Sequence, residues 1–227
     1  MADQHTKEVL KTISKGRKRT NILKKYEQRA IAFLVQIIPN WISSDMLTFI
    51  GFLGNFIVFL SFILAFYIDK WYLLLGVAGF FISWFGDSLD GRVAYYRNKP
   101  RKWYGFVLDL TVDWISTIFI GLGFIVYTNN QFSLLGYAFV VLYGWEMITT
   151  LLRYKITGKY AIDSGLFGPT EVRILISLLL ILEIVIPGSI IYLAGLMIIG
   201  LFIFNISDFL KLLKMADNKD IEEKKKK

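Results

Sequence analysis

The sequence predicts an all-α polytopic membrane protein, with six transmembrane helices preceded by an N-terminal amphipathic helix lying in the interface. Three observations predict it. Apolar residues make up 55% of the 227 and mean hydropathy is +0.52, above the range of soluble domains. Apolar runs of about 20 residues recur, each enough to cross a hydrocarbon core of about 30 Å at 1.5 Å per residue. Finally, 25 of the 26 Lys and Arg residues fall on one side of these runs and only Lys70 on the other, the bias expected of cytoplasmic segments.

Taken in order, residues 1–43 form a basic cytoplasmic tail and the interfacial helix. In "NILKKYEQRAIAFLVQIIP" (Asn21–Pro39) the charges precede an apolar cluster of Ile31, Phe33, Leu34, Ile37 and Ile38. That is the pattern of a helix in the headgroup region, and Pro39 ends it. The six spans of the 44–210 membrane domain are read at 44–68, 71–96, 103–128, 131–156, 170–186 and 189–210. Spans two and three continue through aspartates because their flanks stay apolar. The short, nearly uncharged turns "IDKW", "TNNQ" and "PGS" lie outside. Residues 211–227 are a basic cytoplasmic tail ending in a disordered "EEKKKK". Both termini are thus cytoplasmic, and the net charge of +8 reflects topology and attraction to anionic lipid, not nucleic acid.

The chain has no cysteine and one histidine, His5, in the polar tail. Thiolate chemistry, disulfides and Cys/His zinc sites are excluded. No apolar h-region of a cleavable signal peptide opens the sequence.

Four acids stand out. Asp87 and Asp90 are i, i+3 on the second span, and Asp109 and Asp113 are i, i+4 on the third, so each pair shares a helix face. The spans are joined by the basic loop "RNKPRK" (Arg97–Lys102), which makes them antiparallel neighbours. Asp90 precedes that loop, and Asp109 follows it, by seven residues, which is about 10 Å along each helix. Four carboxylates at matched depth repel one another unless protonated or shared by a cation. Oxygen-only ligands favour Mg²⁺, Mn²⁺ or Ca²⁺. A cation or proton pathway is the alternative reading of buried acids in a bundle. Gly91, Ala94 and Gly105 lie beside the acids and leave room for a ligand, or for close helix packing.

"DSLDGRVAY" (Asp87–Tyr95), followed after nine residues (Tyr96–Tyr104) by Gly105, Asp109 and Asp113, resembles the signature of the CDP-alcohol phosphotransferase (CDP-alcohol phosphatidyltransferase) family, D-x-x-D-G-x-x-A-R then G-x-x-x-D-x-x-x-D. "IPNWISSDMLTFIGFLG" and "GLFGPTEVR" (Gly165–Arg173) are also similar to segments of the family. The resemblance implies a membrane transferase of phospholipid biosynthesis. It would move a substituted phosphate from a CDP-linked donor to an alcohol and release CMP. It implies two Mg²⁺ or Mn²⁺ ions on Asp87, Asp90, Asp109 and Asp113, with Asp113 as general base. Gly91, Ala94, Tyr95, Arg97 and Gly105 would lie at the nucleotide. A homodimer in a bacterial cytoplasmic membrane is expected.

The signature's Arg is Tyr95 here. Arg97, about 20° from Asp90 on a continued helix, is the candidate replacement charge. A member that binds nucleotide without turnover is therefore an alternative. Leu110 stands where members using a diacylglycerol acceptor carry His, which favours CDP-diacylglycerol as donor. Transfer from CDP-ethanolamine or CDP-choline to diacylglycerol is the alternative. Arg153, Lys155 and Glu146 are candidates for the lipid or acceptor. Glu171 reads as a carboxylate at a helix N-terminus, and Glu183 as an interfacial residue.

Overall fold

The computed structural model describes residues 23–158 and 168–225, together with Leu10. Expectations for His5 and the rest of the tail before residue 23, for Gly165–Phe167, and for Lys226 and Lys227 lie outside the described residues. From residue 23 onward, seven α-helices follow one another among the described residues: α1 Lys24–Ile37, α2 Ser44–Tyr67, α3 Leu73–Tyr96, α4 Lys102–Tyr127, α5 Ser133–Thr157, α6 Pro169–Val185 and α7 Ser189–Lys225. No strand occurs among the described residues.

Local chemistry sets the boundaries. Ser43 caps α2 by accepting from the Met46 N–H at 3.1 Å, and Asp69 accepts from Trp71 N–H in the single turn before α3. Pro169 opens α6, where its missing N–H costs nothing. Gly158, at φ +68°, closes α5 in a left-handed conformation that suits glycine. Five of the six expected spans are long and apolar enough to cross a bilayer. The remaining one, the expected fifth span, is α6 with 17 residues, a rise of about 26 Å. The last helix does not stop near residue 210. It runs 37 residues to Lys225, because Lys, Met, Ala and Glu sustain a helix even where their charge suggests a free tail.

α1 is two-faced, as expected. Ile31, Ala32, Val35 and Ile38 are buried against Leu47 of α2 and Leu89 and Val93 of α3, while Phe33 and Ile37 are exposed. The other six helices close into a ring in the spatial order α2, α3, α6, α7, α5, α4. One end of the ring is plugged by an apolar core to which every helix contributes, with Phe62, Phe80, Phe124, Phe139, Leu180 and Ile190 among its members. Glu183 is buried at this end. It accepts from the Tyr127 hydroxyl (2.9 Å), Gly188 N–H (2.9 Å) and Ile190 N–H (2.8 Å). The carboxylate thus caps the start of α7 and ties α4, α6 and α7 together, more than the interfacial placement expected of it.

α2 and α3 form the closest pair. A Cβ on Gly54 would come within 2.6 Å of the Gly79 carbonyl oxygen, and a Cβ on Gly79 within 2.6 Å of the Gly54 carbonyl oxygen. These obstacles are main chain and cannot rotate away. The expectation that spans two and three are antiparallel neighbours needs correction. α3 and α4 share a short loop, but each packs against α2, which lies beside both. The space between α3 and α4 is left to side chains.

Gly54→Val and Gly79→Val should each destabilise the protein by about 1–3 kcal/mol, the usual cost of overpacking. Gly195→Val, where an added Cβ meets nothing within 4 Å, should not. Thermal unfolding in detergent, followed by circular dichroism, checks the difference.

Candidate active site

At the end of the ring opposite the apolar plug, α3 and α4 present the four aspartates. Asp87, Asp109 and Asp113 are half-buried, and each offers a carboxylate oxygen within 4.8 Å of the other two. Two unit charges at that distance repel by about 3.5 kcal/mol at an effective dielectric of about 20, and there are three such pairs. Asp87 is fixed through its backbone, since an added Cβ on Gly51 of α2 would stand 3.1 Å from the Asp87 nitrogen.

Asp90 is the most enclosed of the four, at 6% exposed. Its Oδ2 accepts from the Thr48 hydroxyl at 2.8 Å, its Oδ1 accepts from Gly91 N–H, and its carbonyl accepts from the Ser44 hydroxyl at 2.9 Å. The start of α2 thereby orients this part of α3. Asp90 does not belong to the close triad, so the structure groups three of the four expected ligands and places the fourth one turn along the same helix.

The positive charge beside these acids comes from α6. An Arg173 guanidinium nitrogen lies 2.8 Å from Asp87 Oδ2, with the two side chains 13% and 25% exposed. Sequence reasoning met Arg173 among the cytoplasmic charges and at the end of the family-like segment Gly165–Arg173, and gave it no role in the site. Nothing in its spacing pairs it with an aspartate on another helix. Tyr143 of α5 was also missed. It shares the electrostatic surroundings of Asp113, Arg173, Asp87 and Glu146, which brings Glu146 into the same neighbourhood.

Arg97 goes elsewhere. α3 ends at Tyr96, so Arg97 is its C-cap, and the continued helix that would align it with Asp90 does not exist. Its guanidinium donates to the carbonyls of Ile42 (2.6 Å), Ile38 (3.1 Å) and Pro39 (2.9 Å), pinning the α1–α2 connection to the end of α3. Arg101 in the same loop pairs with Asp45, which raises its already high pKa. It also lies over the Tyr104 ring at 4.1 Å. Gly91, Ala94 and Tyr95 are half-buried and Gly105 is exposed. A Cβ on Gly105 would meet nothing within 4 Å, so α4 is open along this stretch.

Of the acceptor candidates, Lys155 is exposed. Arg153 is buried and pairs with Asp208 of α7, close to the Asn205 Nδ2 bond to the Leu142 carbonyl (2.8 Å) that also joins α5 to α7. Glu171 sits at a helix start as expected, accepting from Gly168 N–H at 3.0 Å and Leu23 N–H at 3.1 Å.

The triad suits a hard cation. The donors are carboxylates throughout, as Mg²⁺ and Mn²⁺ prefer.

Comparison with known proteins agrees with this chemistry. The family model for CDP-alcohol phosphatidyltransferases matches residues 41–206, from the entry of α2 well into α7 and across all four aspartates. Cholinephosphotransferase 1 of Danio rerio is 33% identical over 98 residues, covering 40% of this chain and 25% of that protein. The match therefore spans about a quarter of the relative's length.

Arg153→Gln would strand Asp208 as a buried charge without its partner. The variant should lose about 3–5 kcal/mol of stability, read as a lowered detergent melting temperature, whereas Lys155→Gln should melt like the parent protein.

Proposed function

Because the chain belongs to the CDP-alcohol phosphatidyltransferase family, we propose that it is an integral-membrane transferase. It moves a substituted phosphate from a CDP-linked donor to an alcohol and releases CMP. The observation that carries this reading is the close triad of Asp87, Asp109 and Asp113 at the open end of the ring.

Asp87, Asp109 and Asp113, with Asp90 behind them, would hold one or two Mg²⁺ or Mn²⁺ ions. Such ions, when bound, draw charge from the donor's pyrophosphate and from the leaving CMP. The carboxylates also set where the donor's diphosphate can lie. Gly91, Ala94 and Gly105 leave space for the nucleotide, and Tyr95 offers it a hydroxyl and a ring. Arg97 contributes by shaping the loop beside it. Asp113 accepts the proton of the acceptor hydroxyl. The alcohol oxygen bonds to phosphorus as the bond to the CMP oxygen breaks, and CMP leaves with the electron pair. Glu146 lies on the acceptor side, while Arg153, engaged with Asp208, and the exposed Lys155 stand further along α5.

The donor in this reading is CDP-diacylglycerol, supported by Leu110 in place of a histidine after the third aspartate. Both termini are inside, supported by the Lys and Arg distribution, and the membrane is a bacterial cytoplasmic one, supported by the Lys- and Ile-rich composition; the assembly is a homodimer, as the family resemblance suggests. A second reading, transfer of a CDP-linked head group onto diacylglycerol, is favoured by the similarity to cholinephosphotransferase.

Purified protein with Mg²⁺ or Mn²⁺ should release CMP from one donor in the presence of one alcohol. CDP-diacylglycerol, CDP-choline and CDP-ethanolamine, each crossed with small alcohols and diacylglycerol, separate the two readings. Asp113→Asn should lower turnover by at least about 100-fold, the lower end of a general base's contribution. Metal-independent turnover, or full activity in Asp113→Asn, would reject the mechanism.

A further inference from the structure

We propose that Arg173 is the positioning residue of Asp87, orienting its carboxylate toward a metal ion shared with Asp109 and Asp113. The inference rests on the metal reading of the site and adds to it a residue outside the aspartate motif.

Three features of the structure support it. The contact is close and sheltered: 2.8 Å between a guanidinium nitrogen and Asp87 Oδ2, with Arg173 13% exposed. The same carboxylate belongs to the group formed with Asp109 and Asp113, so the guanidinium that grips it sets how Asp87 meets the other two. An outer-sphere partner that fixes a ligating group in this way commonly changes metal affinity by 10–100-fold.

The helix that delivers Arg173 is itself anchored. The Thr170 hydroxyl donates to Glu27 Oε1 of α1 at 3.0 Å, and Glu171 accepts from Leu23 N–H at the head of α1 at 3.1 Å. Arg173 is therefore set one turn into a helix whose start cannot drift, an arrangement suited to aiming a long side chain. Lastly, Arg173 reaches Asp113 electrostatically as well as Asp87. One guanidinium thus balances carboxylates on both aspartate helices, which do not pack main chain to main chain.

The experiment is a titration of purified protein with Mn²⁺ alone, following free Mn²⁺ by electron paramagnetic resonance, with no substrate present. Arg173→Gln should weaken Mn²⁺ binding about 10–100-fold. Arg173→Lys keeps the charge but loses the planar fork and should recover part of that loss. Since Arg173 acts through Asp87, Asp87→Asn combined with Arg173→Gln should bind Mn²⁺ no more weakly than Asp87→Asn alone. A merely structural ion pair would lower the melting temperature and leave Mn²⁺ affinity unchanged, and that result overturns the proposal. So does tighter binding in Arg173→Gln, which would mean the guanidinium only repels the ion. If Arg173→Gln does not fold, Arg173→Lys decides alone, because affinity equal to the parent's would overturn the proposal. Failure of the parent protein to bind Mn²⁺ would instead reject the metal reading beneath it.

Discussion

The main-chain contact between α2 and α3 underlies the rest of the architecture. Gly51 and Gly54 on one helix meet Gly79, Ser83 and Gly86 on the other at distances that leave no room for a Cβ. In a bilayer the solvent is as apolar as the side chains, so helices associate through close packing and not through expulsion of water. A glycine seam is among the few ways to bring two backbones this near. Once α2 and α3 are joined, Asp87 is fixed by its own peptide nitrogen against Gly51, and Thr48 and Ser44 are within reach of Asp90. α2 is also left free to pack on α4, so the aspartate helices face each other across a space that helix packing does not fill.

The chain buries charge at several other places, and the contrast is informative. Glu183 is surrounded by four donors from a tyrosine, a serine and two backbone amides. Arg153 and Asp208 neutralise each other between α5 and α7. Glu27 accepts from Ser88 and Thr170, linking α1 to α3 and α6. Each of these is a polar knot that joins helices. The aspartate triad is different in kind, since three carboxylates approach one another with the Arg173 guanidinium beside them. Like charges brought together in a low-dielectric setting hold a cost in place, and a cation relieves it.

Much of this was legible in the sequence, and the exceptions have physical causes. The spans were readable because their ends carry turn chemistry, such as Asp69, Asn129 and Asn130, Gly158 and Gly188, and because apolar composition decides what enters a bilayer. The aspartate pairs were readable because 3.6 residues per turn puts i, i+3 and i, i+4 on one face. Arg97 was misjudged because the expectation needed α3 to continue past Tyr96, and a helix end turns a side chain by far more than a helical register does. Arg173 was illegible because its partner lies on a helix distant in sequence, and the intervening arrangement is a property of the ring. Arg153 carried the same surface signal as its neighbours, and only the fold reveals Asp208 opposite it. The course of α7 beyond residue 210 was hidden by its charge, which says where a segment prefers to be and not what shape it takes.

That last helix has a mechanical consequence. Thirty-seven residues of continuous helix make a rod of about 55 Å, while the hydrocarbon core it crosses is about 30 Å thick. Something near half its length therefore stands clear of the lipid as a stiff mast, stepped in the bundle by Asn205 and Asp208. A protein grafted onto this mast in helical register would inherit its orientation. The mast would give a membrane protein of only 26.2 kDa a rigid landmark for aligning particles in electron microscopy.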